Sequence, residues 1–343
     1  MEFSFTCPNC GFTSKKPTKD WKCPNCGAPL NAIAKRTPRI RSILGEGNTP
    51  SLKVRKENRD LIFKLEYLNP SGSFKDRGTA FTAQYFLAKE KCSSFVEDSS
   101  GNTGVSTAAY AAKLGIKANI FAPKTIAPTK AKLLSLLGAT LHITETREQA
   151  YESALRMIRE DSSACYIGHM VNPLFNFGMS FMIEEVLRSW GGGFTDVVLP
   201  LSSGTLLLGI YQGFQRNLKR NGFMPKLWAV QPTRINYLRG KAKIVRDASG
   251  PSDLADALVV SNPPRLNDIV SAINSSGGGA IIVNDEDIKF GMRALYSMGL
   301  LVEPSSAVIW PALEHLEKSG LIGNKVLVPL TGSGLKYIDL INL

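Results

Sequence analysis

The sequence of 343 residues contains no apolar run near the ~18 residues that a membrane-spanning helix requires. Its most apolar stretch, Val197–Ile210, is broken by Pro200, Ser202, Ser203 and Gly204. No membrane partner is therefore expected. The first residues, MEFSFTCPNC, lack the basic-then-apolar pattern of a secretory leader, so a cytoplasmic location is expected. A reducing cytoplasm argues against disulfides, and Cys92 and Cys165 read as buried thiols. Internal repeats and low-complexity tracts are missing, which excludes solenoid and fibrous architectures. Histidine is scarce: His142, His169 and His315 are the three, none in a metal-spaced pair or a ligand loop. Each reads as a core or surface residue.

What remains is the composition of a globular chain, 43% hydrophobic and 20% charged. At roughly 150 residues per domain, the length suits about two domains. An excess of 41 Lys and Arg over 29 Asp and Glu gives +12, a field that favours anionic partners without choosing among them. Four of the six cysteines fall early, as Cys7-Pro-Asn-Cys10 and Cys23-Pro-Asn-Cys26, each pair followed by glycine. Two such knuckles at this spacing place four thiolates tetrahedrally, which predicts a structural zinc site in a ribbon-like segment over residues 1–30. A redox Cys-x-x-Cys pair and an iron site are the competing readings.

After a basic linker around Lys35–Arg41, strand-like runs alternate with amphipathic helical stretches to the C-terminus. Strands are expected over Leu61–Leu65, Ser94–Glu97, Ala118–Ala122, Thr140–Ile143, Asp196–Leu199, Leu227–Gln231, Ala280–Val283 and Val326–Leu330. This alternation predicts an α/β fold with largely parallel sheets. Ligands of such sheets bind where strands end and helices begin. Four loops qualify: Asn69–Arg77, Asp98–Gly104, Pro200–Thr205 and Thr331–Leu335. Gly191–Gly193 and Gly277–Gly279 come after helices and before strands, the wrong order for phosphate capture, and read as caps and turns.

Lys75 precedes a helix expected from about Asp76, where the positive end of the dipole disfavours an ammonium and helps an amine nucleophile. The plain alternative is a solvated surface charge. The Ser99–Gly104 loop gathers hydroxyls and amides into an anion cradle, whereas a simple helix cap needs one polar residue. Ser202–Thr205 opens the apolar helix Leu206–Phe214 in the manner of a phosphate-monoester site.

Taken in order, these segments resemble the fold type II, or β-family, pyridoxal-phosphate enzymes, closest to archaeal-type threonine synthases. The resemblance rests on Leu44–Pro50, Asn69–Arg77, Ser99–Gly104, Pro200–Gly209, Glu303–Ala307 and Thr331–Lys336, and it extends to the N-terminal cysteine pairs. It implies two open, twisted, mostly parallel sheets with helices on both faces, as in the tryptophan synthase β chain. It implies a large cofactor domain over 31–90 and 166–343, a small mobile domain over 91–165 that closes over substrate, and a homodimer. Lys75 would carry the cofactor and shuttle protons, and Phe74 would pack beside the ring or serve as a plain core aromatic. Asn102 would bond the ring's phenolic oxygen, and Ser99, Ser100, Gly101 and Thr103 would take the substrate carboxylate. Ser202, Ser203, Gly204 and Thr205 would hold the cofactor phosphate, although glycine is common where Ser202 stands. Thr331 would face the ring nitrogen, and Glu303 would line the site.

The implied reaction turns O-phosphohomoserine and water into threonine and phosphate. Many threonine synthases carry an arginine and a lysine in a segment that here reads Asn172–Ser180, where Phe175 and Ser180 stand in their places. Each lost charge-assisted bond to a phosphate costs about 1.5–3 kcal/mol, so another PLP-dependent elimination or β-replacement enzyme is the alternative: a dehydratase, cysteate synthase or cysteine synthase. Lys130 and Lys132 are possible replacements, or simply an exposed helical turn. A zinc-ribbon protein that binds nucleic acid is a third reading, disfavoured by Lys75 and the intact cofactor loops.

Overall fold

The computed structural model describes residues 1–36, 38, 41–235 and 237–340, so part of the basic linker expected at Lys35–Arg41 lies outside the described residues. The chain divides into two compact units. The first comprises residues 1–47, 69–71 and 75–179, the second 48–68, 72–74 and 180–343. The ribbon and the segment 91–165 both fall inside the first unit.

The ribbon is a small antiparallel sheet of β1 (Phe3–Thr6), β2 (Thr13–Ser14) and β3 (Asn31–Ala34), ordered β2-β1-β3. Two chain segments later the first unit continues; the intervening hairpin of β4 (Ser51–Lys56) and β5 (Arg59–Lys64) belongs to the second. The first unit's α/β layer runs α1 (Lys75–Lys89), β6 (Ser94–Glu97), α2 (Asn102–Leu114), β7 (Lys117–Pro123), α3 (Pro128–Leu136), β8 (Thr140–Thr144), α4 (Arg147–Glu160) and β9 (Ala164–Tyr166). Its four strands are all parallel, in the order β8-β7-β6-β9. Local chemistry sets the helix ends. Gly115 closes α2 at φ +67°, where a side chain would be strained, and Thr146 caps α4 by accepting from the Gln149 amide.

The ribbon is tied down by aromatic packing. Phe3 meets Phe177 edge-on at 5.2 Å, Phe5 lies 6.1 Å from Tyr85, and buried Trp21 donates its indole N–H to the Tyr166 carbonyl at 2.8 Å. Such edge-on pairs add to the area they bury.

The boundary falls within α5 (Pro173–Trp190), after Met179. The second unit then runs β10 (Asp196–Pro200), α6 (Thr205–Arg216), α7 (Leu218–Asn221), β11 (Lys226–Pro232), β12 (Ile244–Asp247), α8 (Leu266–Ser275), β13 (Gly279–Val283), α9 (Asp285–Ser297), α10 (Pro304–Ala307), α11 (Ile309–Lys318) and β14 (Lys325–Pro329). Its seven-stranded sheet has the order β12-β13-β11-β10-β14-β5-β4, with β4 alone antiparallel to its neighbour. The central strands are buried along their length because both faces are covered. One cluster includes Val198, Val230, Ile281 and Val328, the other Val197, Leu199, Leu227 and Leu327. The α/β architecture with parallel sheets is as expected, and each of the eight expected strands is present.

The expectation of no disulfide is overturned. Cys92 and Cys165 are bonded to each other, with Cα atoms 5.7 Å apart. The strand register explains this: Phe95 pairs with Cys165 and Ser94 with Ala164, so β6 and β9 lie side by side and Cys92 sits just ahead of β6. A compartment argument concerns whether a bond persists; it says nothing of which thiols the fold brings together.

Candidate active site

In the first unit Lys75 is the first residue of α1, as anticipated for a lysine at a helix N-terminus. The loop before it is held by Asp76, whose fully buried carboxylate accepts from both the amide and the hydroxyl of Ser71. The Lys75 ammonium nitrogen stands 5.9 Å from the centre of the Phe175 ring. That closeness depends on two glycines. A Cβ on Gly78 would lie 2.4 Å from the Phe175 ring, and one on Gly178 would lie 2.5 Å from the Arg77 carbonyl. Glycine at both positions lets α1 and the start of α5 approach backbone to backbone.

The Ser99–Gly104 loop follows β6 and opens α2 at Gly101, which as N-cap residue has no side chain to bond the helix, while the Gly101 amide donates to the Ser99 hydroxyl at 3.3 Å. Ser99, Asn102 and Thr103 are buried, and a Cβ on Gly104 would strike the Ser99 carbonyl at 2.1 Å. The tight turn thus requires glycine and keeps the helix-opening amides together, an arrangement suited to an anion.

At the entrance to this loop lie partnerships that the sequence reading missed. Glu97, the last residue of β6, has no exposed surface, and its carboxyl oxygen is 2.6 Å from Nδ1 of buried His169. Asp98 accepts from the Tyr166 hydroxyl at 2.6 Å, and its other oxygen has no hydrogen-bond partner among the described residues. Burial pushes the Glu97 carboxyl up to about 8, against the His169 amide, Lys75 and the Gly168 amide. Burial and the neighbouring Glu97 push Asp98 up to about 6. Burial, reinforced by Lys75, holds the His169 imidazole down to about 3. Two adjacent acids at a strand end ahead of a ligand loop were the available signal; their pairing with a histidine more than seventy positions away was not. The other two histidines are structural. His142 stacks on Phe121 at 4.4 Å, and His315 contacts the Val245 carbonyl at 3.0 Å.

Phe175 and Ser180 are both fully buried. Within the second unit the Ser180 hydroxyl accepts from the Arg216 guanidinium at 2.6 Å, and Arg216 also pairs with Glu184 at 3.5 Å. Lys130 is half-buried and Lys132 exposed on α3.

The second unit carries the other loops. Ser202, Ser203 and Thr205 are buried at the start of α6, and the N-cap residue Gly204 sits at φ +86°. A Cβ on Gly204 would be 2.3 Å from Ile269. The hydroxyl of Ser202 turns to accept from the Val260 amide at 3.1 Å, which is how the chain accommodates a side chain where glycine is common. A twelve-residue helix with glycine as its N-cap residue and two hydroxyls at its mouth fits a phosphate monoester. Buried Thr331 accepts from the Phe74 amide at 3.0 Å through its carbonyl and donates its own amide to Ser306 at 2.9 Å. The Phe74 ring packs against the apolar cluster around Leu199 and Leu206. Glu303 lies against Gly332, whose Cβ would come within 2.2 Å of the carboxyl carbon.

The four N-terminal cysteines form the remaining cluster, with all sulfurs within 4.8 Å of one another. Four thiolates around one ion at ~2.3 Å would be separated by distances of this order, so the set fits zinc.

These loops, their order and the fold define a class. A family model described as pyridoxal-phosphate dependent enzyme matches residues 43–332, and the chain belongs to that family, in its fold type II branch. Its relatives there include threonine synthases. It is 30% identical to the threonine synthase of Bacillus sp. (strain ULM1) over 90% of this chain and 88% of that one, and 29% identical to that of Methanocaldococcus jannaschii over 86% and 76%. In fold it is similar to O-ureido-L-serine synthase, at TM-score 0.74, 19% identity and coverage of 89% and 97%. A cysteine synthase from Entamoeba histolytica is similar at TM-score 0.73, with 22% identity and coverage of 90% and 93%.

Proposed function

We propose that this threonine synthase-like enzyme converts O-phosphohomoserine and water to threonine and phosphate. The observation that carries this reading is the position of Lys75 at the N-terminus of α1, following the turn that Asp76 holds, in a chain of threonine synthase kinship. Pyridoxal phosphate, when bound, supplies an electron sink for charge developing at the amino-acid carbons. The protein's part is binding, orientation and proton transfer. Lys75 Nζ would hold the cofactor, and the same amine would take the α-proton and return protons to the substrate carbons. Asn102 would donate its side-chain amide to the ring oxygen. Ser99, Ser100, Gly101 and Thr103 would receive the substrate carboxylate at the start of α2. From the second unit, Ser202, Ser203, Gly204 and Thr205 would hold the phosphate, with Phe74 beside the ring. Thr331 would face the ring nitrogen with a hydroxyl, which cannot stabilise a protonated nitrogen as a carboxylate would. Cys7, Cys10, Cys23 and Cys26 would bind one structural zinc. Metal analysis of protein purified without chelator should find one equivalent, and less than a tenth of that would reduce the ribbon to a vestige.

One observation favours a second reading. Phe175 and Ser180 are buried and themselves uncharged where the resemblance puts an arginine and a lysine on a phosphate, which suits elimination or β-replacement on an amino acid with a smaller leaving group. Near-visible absorption of the purified protein, titrated with O-phosphohomoserine, O-phosphoserine, serine and threonine while products are assayed, separates the two. Threonine and phosphate released from phosphohomoserine alone support the synthase. A response only to the other amino acids moves the function to the second reading.

A further inference from the structure

The ends of β6 and β9 are joined by side chains and not by strand bonds alone. Glu97 leaves β6 with one carboxyl oxygen 2.6 Å from His169 Nδ1 and the other 3.4 Å from the His169 backbone amide. Gly168, at φ +54°, makes the turn that brings the imidazole back, and a Cβ there would strike the Tyr166 ring at 2.5 Å. The adjacent pair, Asp98 and Tyr166, closes the same seam, and Tyr166 is in turn anchored through its carbonyl by Trp21 of the ribbon. Beyond His169 the chain enters the Asn172 turn, where the Asn172 side chain accepts from the Leu174 amide at 2.8 Å. His169 also stands 6.0 Å, ring to ring, from Phe175, the residue that faces Lys75. The pair thus sits where the Ser99–Gly104 loop and the Phe175 turn leave the sheet.

We propose that Glu97 and His169 are a proton-relay pair that positions these two segments: when the pair loses one proton, the carboxyl proton crosses to Nδ1 and Nε2 changes from donor to acceptor. The balance is simple. Protonated Glu97 donates to the bare Nδ1 of an imidazole that carries its hydrogen on Nε2. Release of that hydrogen to solvent, with transfer of the carboxyl proton to Nδ1, leaves an ionised Glu97 accepting from a still neutral imidazole. Neither state contains an imidazolium, in keeping with the depressed basicity of His169 and the raised pKa of Glu97. The groups that act on the pair come from every side: Lys75 of α1, Asp98 of the loop, Tyr166 of β9, and Arg147 of α4, with Tyr151 of α4 behind Tyr166. Lys75 favours the ionised form and Asp98 opposes it. Ionised Glu97 also places a buried negative charge immediately before a loop suited to an anion, which makes the relay a control on carboxylate binding there. That last link rests on the reading given under Proposed function; the relay itself does not.

The test uses the full chain with labelled histidine, and long-range nitrogen–proton correlation spectra assign the tautomer of each ring. With three histidines in the chain, a His169→Gln spectrum identifies the signal. Wild-type His169 is expected as the Nε2–H tautomer near pH 6, converting to Nδ1–H as the pH passes about 8, while Glu97→Gln keeps one tautomer throughout. A His169 ring that holds one tautomer from about pH 6 to about pH 10, or that takes a second proton near pH 6.5 like a solvated imidazole, overturns the relay. For the link to substrate, amino-acid affinity is read from the cofactor absorption in wild type and Glu97→Gln at two pH values, so that the ligand's own titration cancels. The ratio of the two dissociation constants should change with pH above the transition, by up to about tenfold per unit; a constant ratio overturns the link. Absence of any cofactor absorption would sink the functional reading and leave the tautomer to decide the relay.

Discussion

The two units bury polar groups in opposite ways. In the second, Lys64 is almost wholly enclosed and meets Glu185 at 2.9 Å and the Thr49 carbonyl, while Thr49 donates to buried Glu66 at 2.7 Å. In the first, Glu97 and His169 are as deeply enclosed, but as an acid and an imidazole. An ammonium and a carboxylate attract as ions and hold a sheet in one arrangement. An acid and an imidazole hold each other through a single hydrogen whose position can change. Equal burial therefore gives a fixed brace in one unit and a titratable seam in the other, and the titratable seam adjoins the lysine expected to do chemistry.

The contrast can be broken at its strongest point first. Lys75→Ala should lower kcat by roughly 10²–10⁴-fold, the size of a lost positioned base; full turnover in that variant would end the assignment. Lys64→Met, by contrast, should remove the enclosed ammonium that Glu185 and the Thr49 carbonyl share and cost about 3–5 kcal/mol in urea unfolding. A loss below about 1 kcal/mol would mean that the second unit's brace is ornamental.

The pH dependence of stability sharpens the comparison. The Glu97 carboxyl lies higher in the folded state, about 8 against 4.5 for the free group, because burial disfavours its charge. The stability it contributes is complete below about 4.5 and is lost as pH rises toward about 8. His169 has the opposite sign. Its folded value is depressed to about 3 from 6.5, so its contribution is complete above 6.5 and is lost as pH falls toward 3. Glu97→Gln should flatten the decline on the alkaline side by a few kcal/mol, on the order set by linkage, leaving the acid side intact; parallel curves for the two proteins would contradict this. Smallest of all, Ser180→Ala removes the acceptor for Arg216 and should cost about 1 kcal/mol, since partly exposed Arg216 can turn to water.

Much of the fold was legible because its central strands are buried on both faces and read as apolar runs, as in Asp196–Pro200 and Gly279–Val283. The strands that escaped are short or lie at edges. Ser51–Lys56 alternates lysine and arginine with apolar residues at the rim of its sheet, Ile244–Asp247 forms the opposite rim, and Ala164–Tyr166 spans three residues. Edge strands carry charge because an apolar edge would pair with other chains, and that charge hides them. The ligand loops were legible for a different reason: glycine, serine and threonine between a strand and a helix serve little else.

By itself, the sequence determined the alternation of strands and helices, the four-cysteine ribbon, Lys75 at a helix start and the loops that define the pyridoxal-phosphate family. These are local properties, written in residues near one another along the chain. Only the tertiary structure decided that Cys92 would bond Cys165, that Ser180 would be taken up by Arg216, and that Glu97 would find His169. Each of these partnerships depends on which strands and helices lie side by side. Strand order and register set that adjacency, and they follow from packing across the whole sheet.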